Sequence, residues 1–255
     1  MPFLKVTPEK LSHSVVRQIE QLILRGILRP GERLPSERDM AEKLGVSRPS
    51  LRDAIADLAG RGLLTSRAGS GVFVAEVLGS AFSPALIQLF SSHDEAVFDY
   101  IAFRRDMEGL AAERAARLGS ATDLRVIATI FAKMEAAHQK RDPTDEAELD
   151  AEFHMAIIEA GHNVIMLHML RSMFDLLRQG VFYNRQVMFK NRMTRDHLLD
   201  QHRAMNDAVQ ARDPAAARAA VEAHLTYVEQ AFIDQMRAEK NETIARQRLE
   251  HEASR

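Results

Sequence analysis

Asp150 and His154 stand four residues apart in Asp150-Ala151-Glu152-Phe153-His154. On a helix that spacing puts a carboxylate and an imidazole on one side, able to chelate a single ion. The chain has no cysteine, so any metal must be held by nitrogen and oxygen donors. One such pair is also what a surface Asp/His pair looks like. With Glu152 beside it, a water-activating, hydrolytic use of the same ligands stays open. A second group has different chemistry: Ser47, Arg48, Ser50 and Arg52 are crowded into one short segment. At a helix start, free N–H groups and the helix dipole favour phosphates, and arginine suits both phosphate and the O6/N7 edge of guanine.

The flanking sequence supplies elements to hold that segment. Val15, Ile19, Leu22, Ile23 and Ile27 recur at helical spacing and predict a helix over 11–28, stopped by Arg29-Pro30-Gly31. Ser36, with Asp39 three residues on, caps a short second helix that runs through Met40, Ala41 and Leu44 to Gly45. Ser47 caps a third, with Pro49 tolerated in its first turn and Leu51, Ile55, Leu58 and Ala59 on its buried face. Two extended pieces follow, 63–67 and 72–74, joined by Ala68-Gly69-Ser70-Gly71. Helix, glycine turn, helix and hairpin make a winged helix-turn-helix, the third helix being the reader. Arg38 on the second helix and Arg67 with Gly69 on the wing complete the expected DNA-contacting face.

Beyond a join at about 75–92, helical signals continue to the end. Helices are predicted at 95–118, 122–141, 145–160, 163–188, 192–211 and 214–239, separated by Gly119-Ser120, Asp142-Pro143-Thr144, Gly161 and Asp213-Pro214. The expected fold is mainly α: a winged helix-turn-helix over 1–75, a linker over 76–94, an all-helical bundle over 95–239 and a charged tail over 240–255. Residues 1–75 carry 12 Lys/Arg against 8 Asp/Glu, so a basic head sits on an acidic body within a chain of net charge −2. This balance speaks against a sequence-neutral architectural DNA binder. No apolar run approaches the length of a membrane span, and a cytoplasmic chain with no membrane partner is expected.

Residues 10–74 resemble the DNA-binding domain of the GntR family of bacterial regulators. The resemblance is carried by Leu28-Arg29-Pro30-Gly31-Glu32-Arg33-Leu34-Pro35-Ser36-Glu37-Arg38, Leu44-Gly45-Val46-Ser47-Arg48, Leu51-Arg52-Asp53-Ala54-Ile55, Gly62-Leu63-Leu64 and Gly69-Ser70-Gly71-Val72-Phe73-Val74. It implies a double-stranded operator read by Arg38, Arg48 and Arg52, with the wing tip at Gly69 entering the minor groove.

Residues 95–239 resemble the helical effector domain of the fatty-acid-regulator subfamily. Its motif is matched by Asp150, His154, His202 in Gln201-His202-Arg203, and His224 in His224-Leu225. The resemblance implies a site of three histidines and one aspartate holding a divalent ion: zinc first, nickel or manganese as alternatives. It also implies that Arg104, four residues before Glu108, pairs with an effector carboxylate. Asp94 to Tyr100, Arg104 to Ala112 and His162 to Arg171 resemble the pyruvate dehydrogenase complex repressor group. The expectation is a homodimeric repressor controlled by a small carboxylate such as pyruvate or lactate, with sugar acids open. A polar, metal-lined site disfavours a long acyl chain.

Overall fold

A computed structural model describes residues 10–67, 69–75, 83–140, 144–178 and 192–254. The chain divides into two compact units, Met1–Ala81 and Phe82–Arg255.

The first unit holds α1 (Leu11–Leu24), α2 (Glu37–Leu44), α3 (Arg48–Gly60), β1 (Leu64–Arg67) and β2 (Gly71–Val74). Helix α1 ends before the predicted Leu28 because Gly26 turns left-handed at φ 72°, and Ile27, expected on the buried face, is 61% exposed. Ser36 and Ser47 cap α2 and α3 as predicted, their hydroxyl oxygens accepting from the N–H of Asp39 and Ser50. Gly45, at φ 64°, makes the turn between the two helices. Strands β1 and β2 pair antiparallel, from Leu64 opposite Val74 to Arg67 opposite Gly71. The chain before α2 lies along the other edge of β2, where Leu34 N–H donates to Val72 O and Val74 N–H to Glu32 O, each at 2.9 Å. The wing is thus pinned from both sides to a core of Ile19, Leu34, Leu51, Leu58, Leu64 and Val74. Ala68, part of the predicted hairpin connection, lies outside the described residues.

The second unit holds α4 (Pro84–Ser91), α5 (Asp94–Leu118), α6 (Ala121–His138), α7 (Thr144–Ala160), α8 (Val164–Arg178), α9 (Arg192–Gln210) and α10 (Pro214–Ala253). The breaks predicted at Gly119-Ser120, Gly161 and Asp213-Pro214 separate these helices; Asp142-Pro143 and the end of the helix predicted to 188 lie outside the described residues. Two segments differ from expectation. The join contains α4, capped by Ser83, whose Oγ accepts from Leu86 N–H at 3.3 Å; eight residues are too few for a periodic pattern to stand out. The tail read as charged is a continuation of α10. No Gly or Pro follows Pro214, and pairs such as Arg246–Glu242, at 3.0 Å and one turn apart, support an exposed helix.

Helix α5 runs through the middle of the unit and packs on α7, α8, α9 and α10. Its face toward them is Ala111, Ala112, Ala115 and Ala116, all fully buried, so the backbones approach closely. One turn N-terminal of that alanine face the same helix carries Arg104 and Glu108, which are buried as well.

Candidate metal centre and nucleic-acid interface

Helix α7 contributes Asp150 and His154, α9 contributes His202 and α10 contributes His224, all no more than 2% exposed. One donor atom from each lies within 4.8 Å of the others. His202 Nε2 is 3.0 Å from Asp150 Oδ1 and 3.3 Å from His154 Nε2. The rings of His202 and His224 are 4.6 Å apart, and those of His154 and His224 are 5.1 Å apart. Residues from three sequence-distant helices thus meet at one point, because α7, α9 and α10 all pack around α5.

The surroundings prepare these rings as ligands. His154 Nδ1 lies 2.6 Å from Glu108 Oε2, and His224 Nδ1 lies 2.9 Å from Gln201 Oε1. An acceptor at Nδ1 keeps the ring proton there and leaves Nε2 of the neutral ring as a lone-pair donor. Three imidazole nitrogens with one carboxylate oxygen fit a divalent ion of the zinc, nickel or manganese class. Phe153, edge-on to His202 at 5.5 Å, and Phe174, 6.1 Å from His154, close the centre with apolar walls.

Arg104 stands one layer out. Its Nε donates to Glu108 Oε1 at 2.6 Å, and its guanidinium lies over Phe174 at 4.8 Å and near Tyr100 at 5.9 Å. Burial opposes ionisation of Glu108, but the adjacent Arg104 charge, with the hydrogen bonds from His154 and Arg104, overcomes it and holds the carboxyl down at about 2. An Arg104–Glu108–His154 relay therefore joins α5 to the centre. Tyr100 also lines a largely apolar cavity of about 530 Å³ with Leu86, Phe90 and Met173, between α4, α5 and α8.

Sequence reasoning missed Glu108 and Gln201 as partners of the histidines. Glu108 was legible only as the residue one turn after Arg104, and Gln201 only as the neighbour of His202. Glu152, the candidate hydrolytic base, is exposed while Asp150 and His154 are buried on the other side of α7.

In the first unit, Arg48 and Arg52 converge on Glu37, at 3.8 and 2.7 Å from its Oε2. All three side chains remain partly exposed, so these are weak, exchangeable contacts that orient the arginines. Glu37, unremarked in the sequence, thereby ties α2 to the start of α3. Arg38 is the most exposed of the group, its side chain 83% accessible. Ser47 and Ser50 hydroxyls lie 2.9 Å apart at the cap, where Ser47 sets the start of α3. On the wing, Arg67 stacks over Phe73 at 4.5 Å. Gly69 sits in the hairpin at φ 73° with open space around it.

Comparison with known proteins agrees with this division. The model of the gntR family of bacterial regulatory proteins matches residues 11–74, and that of the FCD domain matches residues 99–227. A regulatory protein named for the L-lactate dehydrogenase operon of Escherichia coli K12 is 35% identical over 227 residues, 88% of this chain and 86% of that protein. The Glc operon transcriptional activator of the same strain is 34% identical over 223 residues, 86% of this chain and 88% of its own length. A solved Streptococcus agalactiae GntR structure, 24% identical, aligns with a TM-score of 0.52 over 86% of this chain and 99% of its own, a likeness of fold alone. No described helix is long and apolar enough to cross a membrane. These families and relatives are transcriptional regulators rather than enzymes, which removes the hydrolytic reading. The chain belongs to the GntR family of bacterial transcriptional regulators, in the branch whose second domain is an FCD domain.

Proposed function

We propose that this regulator is a homodimeric repressor whose grip on a two-fold-related operator is controlled by a small carboxylate bound at a metal-containing centre. The carrying observation is the convergence of Asp150, His154, His202 and His224 inside the helical unit of a DNA-binding regulator. Arg38, Arg48, Arg52 and Arg67, with Ser47, Ser50 and the Gly69 wing, form the proposed operator face. Two copies would set two α3 helices about one DNA turn apart. Asp150 and the three histidines would hold the ion, zinc in the first instance, and the ion supplies a Lewis-acid position for an effector carboxylate oxygen.

Arg104 is the proposed second anchor, sharing its planar guanidinium between Glu108 and the incoming carboxylate. The relative named for an L-lactate dehydrogenase operon favours small hydroxy acids such as lactate, or their keto counterpart pyruvate. Sugar acids are the second reading. A coupling of about 1–3 kcal/mol between the centre and the DNA face changes operator affinity 5- to 150-fold.

The test combines thermal-shift screening of small carboxylic acids, with and without Zn²⁺, and gel shifts on the operator. An effector at 100 times its Kd adds about 2.7 kcal/mol of stability. The reading requires that this gain depend on Zn²⁺ and that the same acid weaken DNA binding. His154→Ala should lose both the ion and the response while still binding DNA. Stoichiometric metal in dialysed His154→Ala protein would exclude His154 as a ligand, and tighter DNA binding with effector would refute release of the operator by the effector.

A further inference from the structure

A second buried polar cluster lies away from the centre. Glu146, Arg195 and His138 are each at most 6% exposed. Glu146 Oε2 accepts from Arg195 Nε, while its Oε1 lies 2.6 Å from His138 Nδ1. Arg195 Nη2 also donates to the carbonyls of His138 and Lys140, at 3.1 and 3.0 Å, where α6 ends. His138 Nε2 lies 2.9 Å from Oδ1 of the half-exposed Asp196, near the start of α9. Three helix ends therefore meet on one guanidinium and one carboxylate. Arg195 already pairs with the Glu146 carboxylate, which points to a structural role for this cluster.

Stability alone does not account for it. Taking an Arg/Glu pair out of water costs about as much as the pair returns, and apolar side chains of similar size often serve as well or better. The position along the helices suggests another role. Glu146, Asp150 and His154 succeed one another at four-residue intervals, so they form one stripe of α7. Arg195 precedes His202 by seven residues, two turns earlier on the same stripe of α9. The two helices are thus joined at two levels, Glu146 to Arg195 and Asp150 to His202. A helix is stiff over two turns, about 10 Å. Pairing Arg195 with Glu146 therefore restrains the rotation of α9 about its axis and its position relative to α7, in addition to the packing of α9 on α5, α6 and α10. Those two freedoms decide whether His202 Nε2 meets Asp150 and His154.

We propose that Glu146 and Arg195, braced by His138, are positioning residues for the metal centre: the bond between them sets the register in which α7 and α9 bring Asp150 and His202 together. The inference rests on the metal-centre reading of those residues. Groups that orient ligands change metal affinity by about 10- to 100-fold when removed, and one acting through two helix turns belongs near the tenfold end.

The test uses the full chain with Zn²⁺ alone as probe, its affinity measured by competition with a chelator. The unfolding midpoint of the metal-free protein is read in parallel. Glu146→Gln keeps the shape and removes the charge. A double replacement, Glu146→Leu with Arg195→Met, removes both charges and keeps the packing. Both should bind Zn²⁺ about tenfold or more weakly, and the double variant should keep the wild-type unfolding midpoint. Co²⁺ in place of Zn²⁺ should show altered visible bands in the same variants, because those bands report ligand geometry. A stably folded double variant with wild-type Zn²⁺ affinity and wild-type Co²⁺ bands would overturn the positioning role and leave the pair purely structural. Wild-type protein that binds Zn²⁺ no better than His154→Ala would instead overturn the metal reading, and this inference with it.

Discussion

Removing Glu108 should be among the most damaging single changes in the helical unit. The carboxylate and the Arg104 guanidinium have side-chain exposures of 3% and 2%, so solvent does not screen their interaction. Glu108→Ala takes away the carboxylate that neutralises Arg104 and the acceptor that fixes the His154 ring. Breaking a buried pair from one side costs about 3–5 kcal/mol. For a unit of 150–250 residues each kcal/mol moves the midpoint by about 2–4 °C, so a drop of about 6–20 °C is expected. The assay is thermal unfolding of the metal-free chain followed by helical circular dichroism, with urea unfolding for the free energy. A double variant, Arg104→Met with Glu108→Leu, should recover most of the loss, since it removes both charges and fills the space. Zn²⁺ affinity should fall about 10- to 100-fold in Glu108→Ala, because the Nδ1 partner orients the ligand. A single-variant loss below about 1 kcal/mol, or a double variant as unstable as the single, would refute the claim that this pair is energetically coupled in the interior.

Two further outcomes test other parts of the molecule. Arg52→Ala should cost about 1–3 kcal/mol at each half-site, hence about 2–6 kcal/mol for a two-fold dimer, with unchanged binding of the effector; unaltered gel-shift affinity at physiological salt would remove Arg52 from the operator face. Asp123→Ala should destabilise the start of α6 by about 1 kcal/mol at pH 7, because Asp123 completes the Ser120 capping box. Although partial burial opposes it, hydrogen bonds from the Ser120 hydroxyl and N–H, with His162, lower the Asp123 pKa from 3.8. The stabilisation is therefore full above about pH 3.8 and lost as pH falls through the lowered value. Urea unfolding at pH 7 and pH 3 measures this, and a mutant deficit undiminished in acid would contradict the capping role.

What the sequence determined by itself is local or motif-borne. The caps at Ser36 and Ser47, the turn at Gly45 and the hairpin after Gly62 follow from backbone preferences that act over a few residues. Asp150 and His154 share a helix face because of a four-residue spacing, and His202 and His224 were recognised only through the resemblance to a family motif. Helix lengths were legible where Gly or Pro stops the chain. They failed at α1, where Gly26 acts before the apolar pattern ends, and at α10, which continues through the residues read only as a charged tail. The tertiary structure decided everything that depends on helices meeting. Glu108 becomes the anchor of His154 only because α5 packs on α7, and Glu37 holds Arg52 only because α2 crosses α3. Arg195 reaches Glu146 only because the start of α9 returns to the end of α6. Such pairs lie between 15 and 49 residues apart. No local spacing encodes them; they arise from the apolar faces that choose which helices touch, and the polar groups then find partners because burying them without partners is costly.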